Sequence, residues 1–129
     1  MEIALRSIVL DWLRADPALA ATLNIVAEES PREAHAPWAG IVASASADWS
    51  TKTQTGREIR FAIELHLRGD DADTGAQLVG AVEQRLQALP AGQPDFRIVS
   101  MRFLRARTEA RPRNARATLL EYRFRCLAD

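Results

Sequence analysis

Residues that commonly do chemistry are scarce in this chain and poorly spaced for it. The softer ligands and nucleophiles amount to two histidines, His35 and His66, and one cysteine, Cys126. A zinc centre needs several Cys, His, Asp or Glu ligands at set spacing, and a lone cysteine excludes an intrachain disulfide. His66 falls on the polar side of an alternating stretch, where a solvated imidazole is expected, and His35 lies in a proline-flanked loop. Cys126 alternates with Tyr122 and Phe124, which marks a buried structural thiol. Asp70, Asp71 and Asp73 invite a calcium reading, but Gly75 is only fifth counted from Asp71. An EF-hand loop needs its glycine one place later and a bidentate glutamate at its end. Helix initiation is the better account of that trio. The glycines are scattered and form no nucleotide-binding pattern. No catalytic, cofactor-binding or metal-binding set is assigned, and the chain is read as a non-enzyme.

Charge is more informative. Of 17 basic residues only Lys52 is lysine. From Met1 to Asp95 there are eight basic and fourteen acidic residues, whereas Phe96–Asp129 holds nine arginines against Glu109, Glu121 and Asp129. A domain so polarised can steer a complementary partner, including another copy placed head to tail. Arginine forms forked pairs with carboxylates, so its excess over lysine favours protein contact. Nucleic acid is the alternative partner for the arginine-rich C-terminal part, although no stacking aromatics interleave with the charge.

These residues need a scaffold. A chain of 129 residues with 47% hydrophobic and 26% charged content reads as one globular domain, residues 1–129. Its uncharged runs are too short to span a bilayer, and no membrane partner is expected. An amphipathic helix is predicted from Glu2 to about Ala15, with Leu5, Ile8, Val9, Trp12 and Leu13 on one face. Asp16-Pro17 then opens a short helix to about Thr22. Ile25–Ala27 suits an edge strand, and Ser30-Pro31 and Ala36-Pro37 bracket a loop. A strand is expected over Trp38–Ser46. A stronger one follows over Glu58–Arg68, whose Ile59, Phe61, Ile63, Leu65 and Leu67 alternate with polar neighbours. Carboxylates at Asp70–Asp73 start a helix that runs to about Leu89, before Pro90 and Gly92. Two strands close the chain, Phe96–Arg107 with Val99, Met101 and Phe103 on one face, and Ala117–Leu127. Thr108–Arg116 between them reads as a long hairpin loop. The sum is an α+β two-layer sandwich, a mainly antiparallel sheet with two main helices packed on one face and the other face wet.

Trp49 stands out as one large aromatic in the hydrophilic stretch Asp48–Gly56. It either folds back over the core edge or is an anchor offered to a partner.

At these residues the chain resembles the tail-completion (tail-terminator) proteins of long-tailed bacteriophages, prophages and gene transfer agents. The resemblance rests on Ala15-Asp16-Pro17-Ala18-Leu19 after the first helix and on Pro37-Trp38 entering a strand. It rests further on Asp48-Trp49-Ser50-Thr51-Lys52-Thr53 with Gly56 and Glu58, the Asp73–Leu89 helix, Arg97–Phe103, and Arg123-Phe124-Arg125. Trp38 stands where a tyrosine is more usual, and the following strand is unusually rich in alanine. The resemblance implies a structural virion protein without chemistry or cofactor. It would form a homo-oligomeric ring, typically of six subunits, capping the tail tube at the head–tail junction of a phage-like particle assembled in the bacterial cytoplasm. The implied partners are the tail-tube protein, the head-completion or connector protein, and DNA that passes through without sequence-specific binding. The candidate partner interface is Asp48, Trp49, Lys52, Arg107, Arg111, Arg113, Arg123 and Arg125. Arg123 and Arg125 are expected to meet the acidic helical layer of the next subunit, with the two loops reaching tail and head proteins.

Overall fold

The computed structural model describes residues 1–28, 35–70 and 72–129. Leu5, Val9 and Leu13 recur along one side of α1 (Glu2–Arg14) and are fully buried. The extended backbone of Asp16 sets Pro17 at the start of α2 (Pro17–Thr22). Arg14 then donates from Nε and Nη2 to the Val26 carbonyl at 2.9 and 2.6 Å, tying the helix to β1 (Ile25–Ala27). β2 (Trp38–Asp48) lies parallel to β1 and antiparallel to β3 (Gly56–Arg68). After α3 (Ala72–Gln87) the chain forms the hairpin β4 (Phe96–Arg111) and β5 (Ala115–Ala128). The five strands stand in the order β1-β2-β3-β5-β4, so β5 returns between β3 and β4 and β4 forms an edge. The α+β fold expected from the sequence is the fold observed.

The core lies between the helices and one sheet face. Leu78, Val82 and Leu86 of α3 and the stripe of α1 meet Ile59, Phe61, Ile63 and Leu65 of β3 and Leu120, Tyr122 and Phe124 of β5. Phe61 and Phe124 stack with centroids 5.0 Å apart. Burying each such side chain contributes about 1.5–3 kcal/mol.

Four expectations need correction. The connection expected over Thr108–Arg116 is not a long loop. β4 and β5 stay paired to Arg111 and Ala115, Thr108 and Thr118 share a hydroxyl hydrogen bond of 3.0 Å, and only residues 112–114 turn. Polar residues on both faces imitate a loop there, yet backbone pairing needs no apolar face. Second, Val99, Met101 and Phe103 do not share a face evenly. Register shifts between Ile98 and Ser100 and between Phe103 and Arg105 make Val99 and Leu104 the extra residues of two bulges. Val99, Phe103 and Leu104 are 43%, 46% and 39% exposed. Third, the polar side of β3 is partly covered. Ala62 packs with Ala117, Leu119 and Val42 in a second small cluster, and Glu64 is buried. Fourth, His66 is half-buried, not solvated, and stacks on Trp38 at 4.9 Å. The Ser30-Pro31 bracket and Asp71 lie outside the described residues.

Candidate functional site

The sheet face turned away from the helices carries most of the arginines, because strand register lines them up there. Residues paired across β3, β5 and β4 share a face. One row reads Glu58, Arg125, Ser100; the next reads Arg60, Arg123, Arg102; the third reads Ala62, Glu121, Arg105. Farther along come Glu64, Leu119, Arg107, and finally Arg68, Ala115, Arg111.

The acids on this face are all engaged. Arg125 donates from Nε to Glu58 Oε2 at 3.0 Å, and Arg60 reaches the other oxygen of Glu58 at 3.3 Å. Arg105 forks onto Glu121 through Nε and Nη2. Arg111 bridges Glu109 at 2.5 Å and Glu64 at 3.3 Å, and Arg107 adds a second partner to Glu109 at 3.4 Å. The hydrogen bond from Arg105 holds the Glu121 carboxyl below the usual range, and those from Arg125 and Arg111 do the same for Glu58 and Glu109.

The middle row is not neutralised. Among the described residues Arg102 and Arg123 have no ion-pair partner, which holds farther out for Arg68 and Arg97 too, and Arg123 Nε is shut off from solvent without an acceptor. Like charges opposite one another on adjacent strands destabilise a sheet, so this row holds more positive charge than the monomer neutralises. Beside it an open trough of about 360 Å³ is lined by Ala43, Ala45 and Ala62 together with Arg60, Leu104, Arg105 and Glu121. Such a floor of methyl groups with charged walls suits a protein side chain.

Of the expected interface residues, Arg107, Arg111, Arg123 and Arg125 are brought together on this face. The other four stand apart. Asp48 ends β2, Trp49 and Lys52 belong to the β2–β3 connection, and Arg113 is at the β4–β5 tip. Because β3 and β5 pair from Gly56–Leu127 to Arg68–Ala115, these two turns occupy opposite ends of the sheet, about 40 Å apart. The β2–β3 turn is not a loose arm. Thr51 donates to the Gln54 carbonyl at 2.9 Å, Gln54 Nε2 donates to the Ala128 carbonyl at 3.0 Å, and Ser50 Oγ accepts from Gly56 N at 3.0 Å. Trp49 is half-buried with the Arg125 guanidinium 5.5 Å from its ring centre, so it folds back and remains partly presented. Cys126 is fully buried, and burial pushes its thiol up to about 11. Tyr122 is likewise pushed up to about 12 by burial.

Sequence reading missed Arg60 and Arg105 as members of this lattice, and did not pair Glu58 or Glu109 with anything. Their alternation was visible, but the pairing of Arg125 with Glu58 depends on the β3–β5 register, and that of Arg105 with Glu121 on a β4–β5 register that two bulges displace.

Among the described residues no group of three or more His, Cys, Asp or Glu is placed to hold a metal ion. No helix of the described residues is long and apolar enough to cross a membrane. No curated protein sequence matches the chain. The fold is similar to a chain of the solved virion of a native gene transfer agent particle, with a TM-score of 0.76 and 26% identity. That match covers 97% of this chain and 95% of the other. A family model described as "Tail completion protein gp17" matches residues 8–127. With nearly its whole length inside that match, the chain belongs to the tail-completion protein family.

Proposed function

We propose that this protein is a structural component of a phage-like particle that assembles as a ring, caps the tail tube and joins it to the head-completion proteins. The observation that carries this reading is the near-complete structural likeness to a chain of a gene transfer agent virion. Two features of the molecule suit the role. The turns bearing Trp49 and Arg113 sit at opposite ends of one rigid sheet, which gives a connector two poles for two neighbours. The open sheet face carries unspent positive charge for a contact between copies. A ring of six copies would leave a central passage for DNA, crossed without base readout. Asp48, Trp49 and Lys52 face one neighbour in this reading, and Arg113 the other.

Electron microscopy of particles made without this protein tests it. Filled heads and separate, uncapped tails are the expected products. Normal joined particles would reject the role.

A further inference from the structure

We infer that the row Arg60–Arg123–Arg102 receives carboxylates from helix α3 of a second copy, so that the sheet of one subunit packs on the helical layer of the next. The inference deepens the proposed ring by naming the contact that would close it.

The two surfaces have opposite leftovers. On the open sheet face Glu58, Glu64, Glu109 and Glu121 are all paired, while Arg102 and Arg123 are left without an acid among the described residues. On α3 the reverse holds. Its single cation, Arg85, is committed to Trp12, while Asp73 and Glu83 have no ion-pair partner among the described residues. Asp73 is exposed in the first turn and Gln77 and Gln84 continue its face, while Glu83 is half-buried on the flank toward Tyr122. Helix α1 offers no competing surplus, since Glu2 pairs with Arg6 and Asp11 with Arg14. The guanidinium surplus and the carboxylate surplus lie on opposite layers of one domain. Their union is therefore heterologous, a head-to-tail contact that repeats until the rotation closes it. Arginine forks suit carboxylates at such a contact. A polyanion fits less well, because Glu58 and Glu121 flank the arginine row on both sides.

Charge reversal tests this by sedimentation equilibrium at about 20 mM salt, where screening is weak. Arg102→Glu with Arg123→Glu makes both layers acidic, and Asp73→Arg with Glu83→Arg makes both basic. Each double variant alone is expected to lose at least about tenfold in self-association, and an equimolar mixture to regain it, because front and back are again complementary. The first variant also places carboxylates beside Arg60, so its monomer should melt no lower than the native chain. Native-like association of either variant, or no recovery on mixing, overturns the contact. So does a native chain that stays monomeric, a result that leaves the tail role to the particle micrographs. Duplex DNA binding lost in the first variant while self-association persists would assign the arginine row to nucleic acid instead.

Discussion

Trp12 and Arg85 clasp each other in both directions. Trp12 Nε1 donates to the Arg85 carbonyl at 2.6 Å, Arg85 Nε donates to the Trp12 carbonyl at 2.8 Å, and the guanidinium carbon lies 3.5 Å from the centre of the indole ring. Each residue thus donates to a carbonyl in the last turn of the other's helix, where partners are few; the Arg85 carbonyl also accepts from Ala88 N at 3.2 Å. The pair fixes α1 against α3 and removes the only cation of α3 from its surface.

Arg85→Ala should therefore destabilise the protein by about 2–3 kcal/mol, since it deletes one charged hydrogen bond and the cation–π contact together. Trp12→Phe keeps a ring but loses the donor, and should cost about 1 kcal/mol. Urea denaturation of both singles and the double should show a coupling of no more than about 0.5 kcal/mol, because each hydrogen bond ends on a backbone carbonyl that the other substitution leaves in place and only the cation–π contact is shared. A coupling well above that would mean that the two hydrogen bonds depend on each other.

Acid should unfold the protein through its glutamates. Glu58, Glu109 and Glu121 are each held below the ordinary carboxylate range by a hydrogen bond from an arginine, and Glu2 by one from Ser44. A carboxyl lowered in the folded state contributes stability that is present above its unfolded value, near about 4.3. That contribution is lost as pH falls through the folded value. Melting temperature should drop below about pH 4.5, and the drop should shrink in high salt because these pairs keep partial access to solvent. Glu121→Gln should give a shallower acid limb in calorimetry. An unchanged limb would show that Arg105 does not select the charged form.

The apolar stripes were legible in the sequence because burial is periodic. Leu5, Val9 and Leu13 mark one side of a helix, and Ile59 to Leu67 alternate along a strand, whatever else the chain does. The open face was less legible, for two physical reasons. A bulge adds one residue without altering composition, so Val99 reads as an ordinary member of an alternating pattern while the backbone makes it an extra, exposed residue. Ion pairs across strands depend on register, so Arg125 beside Glu58 could not be inferred from two residues 67 positions apart in the chain. The hairpin end failed for a related reason. Polar residues on both faces hide a strand whose pairing is carried by backbone alone.

Two glycines should respond oppositely to alanine. A methyl group at Gly56 would press on the Trp49 carbonyl oxygen, on Leu127 Cδ2 at 2.7 Å and on the Cys126 carbonyl at 2.9 Å. Two of those three are backbone and cannot step aside, so Gly56→Ala should cost about 1–3 kcal/mol as overpacking and loosen the Trp49 turn. Gly80 lies inside α3 with nothing within 4 Å of the same position. Gly80→Ala should stabilise by about 0.5–1 kcal/mol through helix propensity. Denaturant midpoints moving in the same direction for both would contradict this packing.

The hairpin tip couples stability to the proposed docking role. Arg113 and Asn114 both adopt left-handed backbone, at φ 62° and 58°. Asparagine tolerates that region, whereas an arginine there carries the Cβ penalty of about 1–2 kcal/mol. The tip is nonetheless held in place, since Gly69 N donates to the Asn114 carbonyl at 2.8 Å and a side chain at Gly69 would meet Asn114 Oδ1 at the same distance. Strain retained in a well-anchored turn is the pattern of a residue kept for contact. Arg113→Asn should raise the stability of the free protein by about 0.5 kcal/mol while reducing the yield of joined particles several-fold. Urea midpoints read the first effect and counts of head–tail particles in micrographs read the second. A stabilised variant that still joins heads to tails at the native yield would remove Arg113 from the docking surface and leave its strain without a functional reason.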